Sequence, residues 1–158
     1  MTRAIRKFLA LPRVERWLLV QAMAALPLVA LTLRTIGLKR CYRALERLAP
    51  MAGGGLLTGA SACHRATQTG WLVRVASIYG LVQGNCLAQS LTIWWLLRRQ
   101  RIPAELRIGV RKRQGRLEAH AWMEHNSRVL NDDVEIGRRF AAFGGARGIF
   151  EHLGADIP

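Results

Sequence analysis

The spacing of apolar residues changes at Pro103, and this change constrains the fold more than any other feature of the sequence. Before Pro103 apolar side chains recur at helical spacing, whereas Glu105 to Val110 alternates as Glu-Leu-Arg-Ile-Gly-Val, as strands do. Because helices come first and strands follow as a group, the sequence predicts an α+β fold rather than an alternating parallel sheet. The predicted helices cover residues 3–25, 28–49, 62–80 and 86–101, and the predicted strands cover residues 105–110, 117–125 and 128–131.

A glycine-rich stretch follows the first two predicted helices. Four glycines lie between Gly53 and Gly59, which is too much backbone freedom for a helix interior. With 158 residues, the chain has room for one ordinary domain or for a small domain with a helical extension. We expect a helical N-terminal extension over residues 1–50, a linker over 51–61 and the main domain over 62–158.

Residues 17–33 carry no charge and are bounded by Arg16 and Arg34. This run is close to the roughly 20 apolar residues that a membrane-spanning helix needs. However, Gln21 and Pro27 interrupt it, and no small-residue cleavage site of a signal peptide follows. We expect a pair of buried helices broken near Pro27. Contact with a membrane surface, which the basic flanks would favour, is possible but not favoured.

The chain is strongly basic: it has 24 Lys and Arg against 10 Asp and Glu, a net charge of +14. Such a surface attracts anionic partners at long range. Many of these charges lie between Arg98 and Arg116, but no aromatic residues alternate with them and no motif for reading nucleic acid is present. We therefore expect solvated charges and no nucleic-acid partner. A non-enzymatic basic protein that binds a membrane surface or nucleic acid is the alternative function.

The three cysteines predict neither a disulfide framework nor a zinc site, because they are odd in number and share no C-x-x-C spacing. A reducing compartment fits this pattern, so we expect a cytoplasmic protein without a bound metal. Several of the residues that could ligate a metal are expected to be structural or surface residues: Cys41, Cys63, His64, His125 and His152.

Cys86 differs from the other cysteines because Gly84 and Asn85 precede it, and Asn85 is a good N-cap for the helix that follows. A sulfur in the first turn lies near unpaired N–H groups and the positive end of the helix dipole, which favour a thiolate. The same N–H groups can stabilise the oxyanion that forms when a thiolate attacks a carbonyl. The alternative for Cys86 is a small buried apolar side chain.

His120 lies in a predicted strand, where an ionisable side chain needs a hydrogen bond or a function. A core histidine is one alternative, and a catalytic base is the other. Acids follow across the next turn, and the turn length decides which of them faces the imidazole. A three-residue turn at 125–127 places Asp132 opposite His120, whereas a two-residue turn at 126–127 places Asp133 there.

Ordered blocks between about residues 80 and 143 carry a family resemblance. They are Asn85-Cys86-Leu87-Ala88-Gln89-Ser90-Leu91, Leu96-Leu97-Arg98-Arg99, Ile102-Pro103-Ala104, Arg107-Ile108-Gly109-Val110-Arg111, Ala119-His120-Ala121-Trp122-Met123-Glu124 and Arg128-Val129-Leu130-Asn131-Asp132. Together they resemble the transglutaminase-like cysteine peptidases of lasso-peptide biosynthesis, the leader-removing half of the split maturation protein. The basic, leucine-rich N-terminal region is similar to the helical extension of that family.

The resemblance implies a small transglutaminase-like or papain-like core, with a catalytic helix packed on an antiparallel sheet. It implies a Cys-His-Asp triad that removes the leader from a ribosomally made precursor, with Cys86 as nucleophile, His120 as base and then acid, and Asp132 as the orienting carboxylate. The implied partners are the leader segment of the precursor, a small leader-recognition protein and the lasso cyclase. No cofactor is expected, since no phosphate-binding glycine loop with a lysine is present.

Two departures from the family pattern concern substrate preference rather than the triad. The family usually has Pro-Arg where this chain has Ala88-Gln89, and a glycine where it has Arg101. Gln83 is a candidate side-chain donor to the oxyanion, and Trp122 is expected to pack beside the triad.

Overall fold

A computed structural model describes residues 10–49, 55–80 and 84–143, in which three long helices precede a four-stranded antiparallel sheet. This order confirms the predicted α+β fold. The helices are α1 (Arg13–Leu48), α2 (Gly59–Tyr79), α3 (Cys86–Arg99) and the single-turn α4 (Ile136–Arg139). The strands are β1 (Glu105–Arg113), β2 (Arg116–His125), β3 (Arg128–Val129) and β4 (Ala141–Phe143).

Helix α1 breaks at Gly37, so the predicted break near Pro27 was wrong. A proline in a helix interior costs about 3 kcal/mol. Leu26 and Val29, on either side of Pro27, are buried in the core, and this burial offsets the cost and keeps the segment helical. Gly37 has φ +76°, which glycine adopts without steric penalty. Residues 3–9 of the first predicted helix lie outside the described residues.

Helices α1, α2 and α3 share one hydrophobic core with one face of the sheet. A Cβ atom at Gly84 would lie 2.8 Å from Leu26 Cδ1, so α1 packs directly on the segment that leads into α3. A Cβ atom at Gly70 would overlap the carbonyl of Leu130, so α2 packs just as closely on the chain after β3. The helical layer is therefore fixed against the region where the candidate site residues lie.

Helix α2 begins at Gly59, within the stretch predicted to be a linker, and ends at Tyr79, one residue before the predicted end. Residues 50–54 lie outside the described residues. The division into an extension over 1–50, a linker and a main domain stays a prediction. What the described residues establish is that α1 packs on α2 and α3 in a common core.

The sheet has the order β3-β2-β1-β4, and β1 pairs with β2 along its whole length. Gln114 and Gly115, both with positive φ, form the two-residue turn between them, as in a type I′ hairpin. Strand β1 runs to Arg113, beyond its predicted end at Val110, and β3 stops at Val129 instead of continuing to residue 131. Neither α4 nor β4 was predicted, because each is too short to show a periodic pattern.

Candidate active site

Cys86 is the first residue of α3, and Asn85 caps this helix as predicted. The Asn85 Oδ1 atom accepts a hydrogen bond from the backbone N–H of Ala88 at 2.8 Å. The Cys86 side chain is half-buried and its thiol is free. Cys86 therefore lies in the first turn of a well-formed helix, where backbone N–H groups lack partners within the helix, and its side chain packs against the hydrophobic core.

A buried hydrogen bond fastens α3 to β2 beside His120. Ser90, one turn after Cys86 on the same face of α3, donates to the carbonyl of Ala121 at 3.1 Å. Cys86 is thus one helical turn, about 6 Å along the helix axis, from the residue that fastens α3 to β2. Side chains alternate along a strand, so Ala121 packs towards α3 while the His120 ring packs with aromatic residues on the other face.

Asn131 extends this contact to the chain after β3. Its Nδ2 group donates to Ser90 Oγ at 3.0 Å, and its Oδ1 atom accepts from the backbone N–H of Met123 at 2.9 Å. One side chain therefore joins α3, β2 and the segment after β3. Because Asp132 is the next residue, the same network fixes the backbone that carries this carboxylate.

His120 and Asp132 form a direct pair. The His120 Nε2 atom lies 2.6 Å from Asp132 Oδ2, and the two side chains are 24% and 28% exposed. The other carboxylate oxygen accepts the backbone N–H of Asp133 at 2.8 Å, which orients the carboxylate. With Nε2 held by Asp132, Nδ1 is the ring nitrogen left to exchange a proton, and it has no hydrogen-bond partner among the described residues.

The turn between β2 and β3 has two residues, Asn126 and Ser127, both with positive φ. A regular hairpin with this turn would place Asp133 opposite His120. The last backbone hydrogen bond of this ladder runs from the Leu130 N–H to the Met123 carbonyl at 2.9 Å. The chain then leaves the ladder at Asn131, so that Asp132 reaches the imidazole instead.

The neighbouring Asp133 is engaged elsewhere. Its carboxylate forms an ion pair with Arg139 at 2.7 Å and accepts the backbone N–H of Glu135 at 3.2 Å. The sequence left both Asp132 and Asp133 as candidate partners of His120. Among the described residues, Asp132 is the acid of the two that contacts the imidazole.

Two aromatic side chains pack against the His120 imidazole. The ring centroids of Trp122 and Phe140 lie 6.4 and 5.2 Å from it, and Trp122 is almost completely buried, in agreement with its predicted packing role. Gly109 lies opposite His120 on β1, and a Cβ atom there would lie 2.9 Å from both Phe140 Cβ and the Trp122 ring. The guanidinium of Arg111 covers Phe140 at 4.5 Å from the ring centroid. The imidazole is thus held by packing as well as by its hydrogen bond.

The three predicted site residues are not all joined. The structure pairs His120 with Asp132, and it fastens the helix of Cys86 to the strand of His120. Within the described part of the chain, Cys86 makes no hydrogen bond to His120. Cys86 packs with α3 on one face of the sheet, whereas the His120 ring packs with Trp122 and Phe140 on the other face. Proton transfer between them would therefore require the two side chains to approach each other.

A polar pocket of about 510 Å³ adjoins Asp132. Helix α2, helix α3 and the segment after β3 each contribute a wall. Gln89 lies on α3 one turn after Cys86, and its Nε2 group donates a hydrogen bond to Ser77 Oγ on α2 at 3.0 Å. The residues that line the pocket are Arg74, Ser77, Ile78, Gln89, Asn131, Asp132 and Asp133.

The other candidate residues have structural contacts. Cys41 is completely buried, and burial raises the pKa of its thiol, which disfavours a thiolate. Cys63 is half-buried on α2, where its sulfur meets Asn126 Nδ2 at 3.8 Å. His125 is buried, with Nδ1 2.6 Å from the carbonyl of Pro103. Cys86 is therefore the one free thiol at the start of a described helix.

Gln83 and His152 lie outside the described residues, so the oxyanion role of Gln83 stays a prediction. His64 is exposed on α2. No group of three or more His, Cys, Asp or Glu side chains in residues 10–49, 55–80 and 84–143 is arranged to hold a metal ion.

Half of the basic block between Arg98 and Arg116 makes contacts within the fold. Arg99 lies 4.8 Å above the ring of Trp95. Arg98, Arg107 and Arg111 form ion pairs with nearby glutamates. The pairs are Arg98–Glu46 at 3.5 Å, Arg107–Glu124 at 3.2 Å and Arg111–Glu118 at 2.6 Å.

Sequence reasoning gave no role to Ser90, Asn131 or Phe140. A signal existed for two of them: Ser90 is one helical turn from Cys86, and Asn131 is next to Asp132. Phe140 had none, because it reaches His120 through the unpredicted segment that contains α4.

Helices followed by an antiparallel sheet, in a mixed α+β arrangement, are consistent with a transglutaminase-like core. A model of the transglutaminase-like superfamily matches residues 25–143, and the chain belongs to this superfamily, which includes cysteine peptidases and acyltransferases. The match begins within α1 and ends with β4. A search among curated proteins and another among solved structures each found no match.

Proposed function

We propose that this protein is a cysteine peptidase that removes the leader from a ribosomally made lasso-peptide precursor. The observation that carries the proposal is the 2.6 Å contact between His120 Nε2 and Asp132 Oδ2 on a strand to which the helix of Cys86 is fastened. The choice of a leader as substrate rests on the sequence blocks that resemble the leader peptidases.

The Asp132 carboxylate favours the tautomer in which Nε2 carries the proton and donates it to Oδ2. Nδ1 then has a free lone pair and acts as the base towards the thiol of Cys86. The carboxylate also stabilises the imidazolium that forms when Nδ1 is protonated.

In the proposed reaction, the Cys86 thiolate attacks the carbonyl of the last leader residue and forms a tetrahedral oxyanion. Backbone N–H groups at the start of α3 stabilise this oxyanion. His120 gives its proton to the leaving amine, so the core peptide departs while the leader stays bound to sulfur as a thioester. His120 then deprotonates a water molecule, whose attack releases the leader as a carboxylic acid and restores the thiol.

The polar pocket beside Asp132 supports binding of an extended peptide near the site, because its walls offer donors and acceptors from three parts of the chain. The proposed partners are the leader segment, a small recognition protein that presents the leader, and the cyclase that closes the ring. A cytoplasmic location and catalysis without a cofactor are part of the same proposal.

The experiment mixes the purified protein with a precursor peptide and its recognition protein and analyses the products by mass spectrometry. We expect separate leader and core fragments from the unmodified protein and none from Cys86→Ala. Cys63→Ala, which removes another half-buried thiol, is the matched control and should cleave normally. Unchanged cleavage by Cys86→Ala refutes the proposal.

A further inference from the structure

The outer face of α1 carries large apolar side chains that no described residue covers. Trp17, Leu28 and Leu31 are 65%, 64% and 59% exposed. Their spacing places them on one side of the helix, and Val20 and Ala24 lie between them, also exposed. From Trp17 to Leu31 this stripe is about 21 Å long at 1.5 Å per residue.

The opposite face of α1 is packed into the core through Leu19, Leu26 and Val29. By length and composition, α1 alone among the described helices could cross a membrane. Lipid could surround α1 only if the helix left the core, so within the described residues α1 can meet a membrane only along its outer face. A helix that contacts a membrane along one apolar face lies in the plane of the interface rather than across it.

The charges beside the stripe indicate what covers it. Arg13 and Arg16 lie at one end and Arg34 at the other, before the break at Gly37, with Glu15 as the single acid of this group. A second copy of this chain, itself of net charge +14, would bring like charges together, whereas an anionic lipid surface complements them.

We propose that the outer face of α1 binds an anionic membrane surface, with Trp17, Leu28 and Leu31 in the apolar layer and the flanking Arg13, Arg16 and Arg34 at the headgroups. The sequence alone favoured a pair of buried helices over contact with a membrane surface. The exposed fractions reverse that preference, because a fully buried helix would not expose these three side chains. This inference does not depend on the proposed peptidase activity.

The test sediments the full-length protein with vesicles of phosphatidylcholine alone or mixed with phosphatidylglycerol, at low and at high salt. We expect binding to the mixed vesicles that weakens at high salt. The triple variant Trp17→Gln, Leu28→Gln, Leu31→Gln should lower the partition coefficient by tenfold or more, since each side chain contributes about tenfold when fully buried. The double variant Arg13→Gln, Arg34→Gln should lower the partition coefficient by about fivefold for each positive charge removed.

The matched control is the double variant Leu117→Gln, Val134→Gln, which changes equally exposed apolar residues elsewhere and should bind vesicles normally. Circular dichroism checks that each variant is folded. In brominated lipid, part of the tryptophan fluorescence should be quenched, and Trp17→Phe, which stays apolar, should remove that part. No binding of the unmodified protein to mixed vesicles overturns the proposal. A dimer seen by light scattering that the triple variant abolishes, or equal loss of binding in the control, also overturns it.

Discussion

Replacing Asn131 with alanine tests the network that joins the helix of Cys86 to the segment carrying Asp132. The change removes the acceptor of the Met123 N–H and the donor to Ser90 Oγ. Leaving a buried backbone N–H without a partner costs about 1–3 kcal/mol, and losing the bond to Ser90 costs about 0.5–1.5 kcal/mol. Because Asn131 is only half-buried and lines the polar pocket, water can replace part of this loss.

We therefore expect Asn131→Ala to lower the free energy of unfolding by about 2 kcal/mol, or the Tm by about 4–8 °C for a chain of this size. Urea unfolding followed by circular dichroism measures the first quantity. Asn126→Gly, in the exposed turn at φ +49°, is the control and should stay within about 0.5 kcal/mol of the unmodified protein. Asn131→Ala should also have a lower kcat than the unmodified protein, because the backbone of Asp132 loses the hydrogen bonds that hold it in place.

Two results would refute this reasoning. An unchanged urea midpoint would mean that the hydrogen bonds of Asn131 contribute nothing to the fold. A loss of stability with an unchanged kcat under conditions where the variant is folded would mean that the network does not position Asp132.

Three further predictions concern single side chains. Asp132→Asn should reduce kcat by about 10²–10⁴-fold, since an amide favours the wrong tautomer of His120. Asp133→Asn should retain most of the activity, because Asp133 pairs with Arg139 instead. The reverse order in steady-state kinetics would mean that Asp133 is the carboxylate that orients His120. Gly109→Ala should destabilise the fold by about 1–3 kcal/mol in urea unfolding, because the new methyl group meets two packed aromatic side chains, and wild-type stability would contradict that packing. Burial raises the pKa of Cys41 above its ordinary 9.0, so the folded protein keeps this proton where the unfolded chain loses it. The stabilising contribution of Cys41 is full below the pKa of its thiol in the unfolded chain and is lost as the pH rises through the pKa in the folded protein. The free energy of unfolding should therefore fall between about pH 8 and 10 more steeply in the unmodified protein than in Cys41→Ala. Equal slopes in the two proteins would contradict this.

Local chemistry made much of the fold predictable, including the position of Cys86 at the start of a capped helix. The cap at Asn85 and the alternation after Pro103 depend on neighbours in the sequence, so α3 and the β1–β2 hairpin were predicted nearly in full. The break in α1 was predicted at Pro27 because proline disfavours helix interiors, but burial on both sides of it outweighed that preference and the helix breaks at Gly37.

The choice between the two acids shows a different limit. Turn length determines register only while strands stay paired, and β3 ends after two residues. The observed two-residue turn pointed to Asp133, yet departure of the chain from the ladder brings Asp132 to His120. Exposure of the outer face of α1 depends on which helices pack together, which no local pattern in the sequence reveals.

The central claim is that Cys86 attacks the substrate with His120 as its base. Acid quenching of a single turnover with precursor and recognition protein, followed by mass spectrometry of the digested enzyme, tests it most directly. We predict a thioester-linked leader on the peptide that contains Cys86, and none in His120→Ala. Cleavage that proceeds with the adduct on another residue, or with full adduct formation in His120→Ala, would contradict the account.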